Sequence, residues 1–235
     1  MRWLPNLLTM TNAFFGCIAL LFIHDLNLEY LSYCIGVSLL CDLFDGYFAR
    51  KLSVASKMGK ELDSLADIIS FGIVPGALIA KIGFLVSSPI FLIGFLITLG
   101  SVYRLARFNT EKSQLNYFIG LPTPANTLMI LGLAWGIYDY ELFQIINTDK
   151  DTLLSPFSVF LIFTTFLSIF LMNSKLKILS FKILPKHRIS WLLIGGFFLT
   201  CLILLINFRM TALAFIIPLL LFISILEQKF LKNKI

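Results

Sequence analysis

The chain has 235 residues, is 58% hydrophobic, has a mean hydropathy of +0.91 and carries a net charge of +6. So high an apolar share excludes an ordinary soluble domain, and long apolar runs without period-two alternation exclude a β-barrel. The basic charge alone would fit a nucleic-acid binder, but its placement, set out below, assigns it to membrane topology.

In chain order, Met1 to Pro5 reads as an interfacial entry with Trp3 as a headgroup anchor. The N-terminus lacks a small-residue cleavage site, so no removable signal peptide is expected. Eight apolar spans follow: 6–23, 30–50, 61–80, 84–107, 123–138, 153–172, 189–208 and 211–226. Pro75 is expected to kink the third, the fifth is short, and Pro218 interrupts the eighth. The predicted fold is an all-α polytopic membrane bundle forming one domain over residues 1–235, with its motifs within about 4–130 and C-terminal helices over 150–226. Cys17, Cys34, Cys41 and Cys201 lie in apolar runs without a CxxC pair and read as small hydrophobes. His24 and His187 fall on opposite predicted sides and receive no catalytic role.

Of the nineteen Lys and Arg residues, all but Lys81, Lys150 and Arg209 fall at the same set of alternate span ends. By the positive-inside rule that set is cytoplasmic, and with eight spans both termini are cytoplasmic as well. The charge therefore reads as topology and attraction to anionic headgroups, with no nucleic-acid partner.

Four carboxylates interrupt the second and third spans. Asp42 and Asp45 are spaced i,i+3, and Asp63 and Asp67 are spaced i,i+4, so each pair shares a helix face. One Asp at the centre of a membrane helix costs roughly 2.5–3.5 kcal/mol, so four facing lipid unpaired would cost on the order of 10 kcal/mol. Arg50 is the one local counter-charge at helical reach between the pairs. Divalent cations are the physical answer, and hard oxygen ligands suit Mg²⁺, Mn²⁺ or Ca²⁺. From the acids alone an enzyme and a cation or proton transporter both remain open, as does a structural ion-pair network. Gly46, Ala49 and Gly59 remove bulk beside the acids, where a large ligand can approach.

Asp42-x-x-Asp45-Gly46-x-x-Ala49-Arg50, eight residues, then Gly59-x-x-x-Asp63-x-x-x-Asp67 resembles the signature of the CDP-alcohol phosphatidyltransferases, with every signature position present. The resemblance implies that Asp42, Asp45, Asp63 and Asp67 hold a divalent metal site, expected to be two ions (Mg or Mn, with Ca as an occupant). It further implies that Asp67 is also the general base for the attacking alcohol. Arg50, which alone would read as a snorkelling interfacial arginine, becomes a ligand for the diphosphate of a CDP-lipid. Gly46, Ala49 and Gly59 then make room for the nucleotide. Asn6 and Thr9, otherwise a helix start with Thr back-bonding, match a Pro-Asn-x-x-Thr segment that borders the nucleotide in the family.

Arg104-Leu105-Ala106-Arg107-Phe108-Asn109 and Phe118-Ile119-Gly120-Leu121-Pro122-Thr123-Pro124-Ala125 together resemble the serine-accepting branch of that family. The substrates implied are CDP-diacylglycerol and L-serine, with CMP leaving and Arg104 or Arg107 binding the serine carboxylate. Glycerol 3-phosphate or inositol phosphate is the alternative acceptor. The expected setting is the cytoplasmic membrane, with the site facing the cytoplasm and the protein a homodimer.

Overall fold

A computed structural model describes residues 3–54, 56–85, 88, 90–110, 118–140, 155–178 and 188–232. Arg2, Lys112, Lys150, Lys182, Lys186 and Lys234, which entered the charge asymmetry, lie outside the described residues, as does His187. The helices are α1 (Leu4–His24), α2 (Leu28–Lys51), α3 (Lys57–Asp67), α4 (Val74–Leu85), α5 (Phe95–Thr110), α6 (Thr123–Asp139), α7 (Pro156–Asn173), α8 (Arg188–Phe208) and α9 (Leu213–Lys232). Two-residue strands β1 (Phe118–Ile119) and β2 (Lys177–Ile178) pair antiparallel, so the chain is otherwise helical among the described residues.

Among the described residues, six helical segments are long and apolar enough to cross a membrane: Leu4–His24, Leu28–Lys51, Lys57–Leu85, Phe91–Thr110, Pro156–Asn173 and Gly195–Ser224. The last of these includes the 3₁₀ turn Arg209–Ala212 between α8 and α9, where Arg209 takes φ 48°. α6, the expected short fifth span, has 17 residues. Apolar side chains cover the outside: Phe14, Leu21, Leu99, Phe163, Phe170 and Ile206 are all exposed. In water such a surface would aggregate, whereas in lipid it is the solvated face.

Local sequence explains the breaks. Asn27 caps α2 by accepting the Tyr30 N–H at 3.3 Å, and Ser56 caps α3 by accepting the Gly59 N–H at 2.9 Å. Pro75 does not break the third span. A π-helical stretch, Ile68–Ile73, runs from α3 into α4, and residues 57–85 form one continuous helical segment. Proline cannot donate to the Phe71 carbonyl one turn back. The Thr127 hydroxyl of α6 lies 3.1 Å from that carbonyl and 3.0 Å from the Thr123 carbonyl, so its single proton serves one of the two, and the Thr98 hydroxyl donates to the Gly72 carbonyl at 3.0 Å. Neighbouring helices thus offer donors to the backbone that the proline and the π turns disturb.

The core lies where α1, α2, α4 and α6 meet, around Leu31, Ile35, Phe71, Leu78, Ile79 and Ile130. Hydrogen bonds fasten both ends of the bundle. At one end Ser88 and Ser158 hydroxyls lie 2.9 Å apart, and Thr211 donates to Asp139 at 3.1 Å. At the other, the β1–β2 pair and the Leu121 N–H to Leu171 carbonyl bond (2.9 Å) join the connectors after α5 and α7. Asp42, Asp45, Asp63 and Asp67 lie toward this second end.

Candidate active site

Four elements converge on the acids. α1 contributes Asn6, Thr9 and Asn12, spaced three apart and so on one face. α2 brings Asp42, Asp45, Gly46, Ala49 and Arg50, and α3 brings Gly59, Asp63 and Asp67. α5 closes the site with Arg104. Asp42, Asp63 and Asp67 each place a carboxylate oxygen within 4.8 Å of the others. Asp45 stands beside this trio, buried, with its Oδ2 2.5 Å from Thr9 Oγ1. That hydroxyl is also 3.0 Å from the Pro5 carbonyl, so its single proton serves one of the two.

The donor set fits a hard divalent cation. None of the four acids forms an ion pair with Lys or Arg among the described residues; the His24–Asp25 contact at 2.8 Å lies at the opposite end. Asp63 Oδ1 is buried without a hydrogen-bond partner. Charges at such spacing repel by about 4 kcal/mol per pair at an effective dielectric of 20. A cation bound among them turns that repulsion into attraction, and oxygen-only ligands select a hard ion.

Two cavities meet at the acids and share Asp45, Gly46, Arg50, Lys60 and Asp63 in their walls. The smaller, about 210 Å³, adds Asn6, Thr9, Ala49 and Gly59. The larger, about 570 Å³, adds Asp42, Asp67, Arg104, Asn109 and Thr123. The residues expected to border a nucleotide therefore gather in one chamber, and Arg104 lies across the acids from them. The glycines make room for protein side chains. A Cβ on Gly46 would meet the Arg50 guanidinium at 3.4 Å, and one on Gly59 would meet Asn6 Oδ1 at 3.3 Å.

Arg104 and Arg107 part company. Arg104 is buried, lines the larger cavity and has an unpartnered Nε. Arg107 lines neither acid-bearing cavity; it borders a small cleft beside Ile119, Met172 and Asn173. The i,i+3 spacing put both on one face, but only Arg104, one turn deeper, lines the cavity that holds the acids.

Sequence reasoning gave Asn12 no role, counted Lys60 among the topology charges, and quoted Asn109 and Thr123 only within motifs. Asn12 is fully buried and its Nδ2 donates to Asp67 Oδ1 at 3.3 Å. Continuing the three-residue spacing of Asn6 and Thr9 by one step would have found it. Lys60 Nζ donates to the Asn109 carbonyl at 3.3 Å and Asn109 Nδ2 donates to Ser64 Oγ at 2.8 Å, closing α3 against the end of α5. Nothing local in the sequence signals that contact across 45 or more residues.

A family model for CDP-alcohol phosphatidyltransferases matches residues 2–169, which takes in all these elements and ends within α7. A CDP-diacylglycerol–serine O-phosphatidyltransferase of Bacillus subtilis is 37% identical over 141 residues, covering 57% of this chain and 77% of that protein. One from Saccharomyces cerevisiae is 38% identical over 123 residues, 46% of this chain and 44% of that protein. An archaetidylserine synthase of Methanothermobacter thermautotrophicus is 36% identical over 129 residues, 54% and 55% of the two chains. The latter two are matched over about half of their own length. With more than half of its residues inside the family model and the signature acids gathered around one pair of cavities, this integral membrane chain belongs to the CDP-alcohol phosphatidyltransferase family.

Proposed function

We propose that the protein transfers the phosphatidyl group of CDP-diacylglycerol to the hydroxyl of L-serine, releasing CMP and forming phosphatidylserine. The observation that carries this reading is the pair of cavities that share the acids, one bordered by Asn6, Thr9, Ala49, Arg50 and Gly59, the other containing buried Arg104. The names of the similar proteins from Bacillus and yeast support serine as acceptor. The archaeal relative's name keeps serine while changing the lipid, which ties the likeness to the acceptor.

Asp42, Asp63 and Asp67, with Asp45 beside them, would hold the divalent metal, for which we favour two ions of Mg or Mn. When bound it supplies charge neutralisation on the phosphate oxygens. The chain's own residues do the rest. Arg50 binds the diphosphate, with its guanidinium lodged against Gly46. Asn6 and Thr9 flank the nucleotide. Arg104 pairs with the serine carboxylate and so aims the hydroxyl at the lipid-side phosphorus. Asp67 accepts the hydroxyl proton as the serine oxygen–phosphorus bond forms and the bond from phosphorus to the CMP oxygen breaks.

The same reading places eight spans across the cytoplasmic membrane, with both termini and the acid-bearing mouth toward the cytoplasm, in one functional unit over residues 1–235 that works as a homodimer. CDP-diacylglycerol then enters from the bilayer and serine from the cytosol. The test is an acceptor assay on purified protein, with CDP-diacylglycerol and labelled serine, glycerol 3-phosphate or inositol phosphate in parallel. Label is expected in lipid from serine alone. Lipid product from either phosphate and none from serine would replace serine as the acceptor.

A further inference from the structure

Asn12 is an unusual residue to find fully buried in the apolar face of a membrane helix, and three elements meet on it. Its side-chain Nδ2 donates to Asp67 Oδ1 at 3.3 Å. Its backbone carbonyl accepts Ser38 Oγ of α2 at 3.0 Å and Ser70 Oγ of the π-helical stretch at 2.9 Å. Ser70 reaches that carbonyl because Gly16, one turn along α1, has no side chain; a Cβ there would fall on the Ser70 hydroxyl and its backbone. The hydroxyls fix the position of the Asn12 backbone, and they would do so with any residue at 12. The amide is not needed for that fastening. Its Oδ1 is buried without a partner, so the side chain leaves one polar atom unsatisfied. Among the described residues, the one hydrogen bond of the side chain is the bond to Asp67.

We propose that Asn12 is a positioning residue for Asp67. Its amide holds one carboxylate oxygen, so that the second is presented in one orientation to the larger cavity and to the neighbouring carboxylates of Asp42 and Asp63. The π-helical turns that begin directly after Asp67 complete the device, because they deliver Ser70 to the carbonyl of the residue that orients Asp67. Partners that orient metal-binding side chains typically matter 10- to 100-fold in affinity or activity. The role in turnover rests on the function proposed above; the role in orienting the carboxylate does not.

The experiment compares wild type, Asn12→Ala and Asn12→Asp, purified in detergent, by three readouts: Mn²⁺ affinity by electron paramagnetic resonance, kcat and KM from CMP release, and thermal unfolding. Asn12→Asp keeps shape and size but replaces the donor with an acceptor, which guards against a cavity effect in Asn12→Ala. The expected result for both variants is about tenfold weaker Mn²⁺ binding and a kcat reduced 10- to 100-fold. The KM for serine and for CDP-diacylglycerol should stay within about twofold, since Asn12 lines neither cavity. Wild-type Mn²⁺ affinity in Asn12→Asp, or losses that follow only the unfolded fraction, would overturn the proposal. Absence of serine-dependent CMP release in the wild type would remove the proposed function instead, while the Mn²⁺ comparison would still decide the role of Asn12.

Discussion

Thr9 Oγ1 of α1 and Asp45 Oδ2 of α2 lie 2.5 Å apart, in the wall of the smaller cavity and 36 residues apart in sequence. A hydrogen bond to an ionised group is worth about 1.5–3 kcal/mol net. Thr9→Val keeps the shape and removes the donor. The expected outcome is a roughly tenfold higher KM for CDP-diacylglycerol with the protein still folded, measured by CMP release at saturating serine. An unchanged KM would assign the hydroxyl to the Pro5 carbonyl alone.

Asp67 is buried, borders the larger cavity and belongs to the three-carboxylate cluster. General-base removal costs about 10²–10⁴-fold in rate, and under the proposed function a metal-holding carboxylate is altered as well. Asp67→Asn should therefore lower CMP formation at least about 10³-fold while the detergent-solubilised protein elutes and melts like wild type. Residual activity above a tenth of wild type would move the base elsewhere.

The two arginines at the end of α5 should separate kinetically. Arg104→Lys loses the planar fork in the wall of the acid-bearing cavity. A rise of about tenfold or more in the KM for serine is expected, with the KM for the lipid little changed. Arg107→Lys, away from both cavities, should shift it less than about twofold. Equal effects in serine titrations would show that the pair acts as one clamp.

The crossing of α6 over the start of α9 depends on Gly132, whose Cβ, if present, would overlap the backbone at Leu213 and Ala214. Overpacking costs about 1–3 kcal/mol, and close helix approach in membranes relies on small residues. Gly132→Ala should melt several degrees lower in detergent and retain wild-type kcat well below its melting temperature.

Much of this site is legible in the sequence because charge inside apolar segments is conspicuous. Asp42, Asp45, Asp63 and Asp67 stand out by their cost in lipid, and their i,i+3 and i,i+4 spacing correctly turns each pair to one side. Arg104 and Arg107 show the limit of that rule. Spacing gives a shared face, but depth along α5 decides which arginine lines the acid-bearing cavity. Pro75 carries a similar lesson: the residue type announces a disturbed backbone, while the form it takes, π-helical turns with the Thr127 and Thr98 hydroxyls set against freed carbonyls, depends on partners from other helices. Asn12 escaped notice because a single amide in an apolar run resembles an ordinary buried polar residue until Asp67, 55 residues away, is seen against it. The eight expected spans likewise depend on segments such as α6, whose 17 residues leave little margin on length alone.

In the proposed reaction a carboxylate-held divalent ion and a serine hydroxyl act together on an activated lipid. The most direct measurement is CMP release by purified protein given CDP-diacylglycerol, with and without serine, before and after chelation, and again after adding back Mg²⁺ or Mn²⁺. The account predicts serine-dependent release that chelation abolishes and either ion restores. Release that persists undiminished through exhaustive chelation, or that proceeds equally without serine, would contradict it.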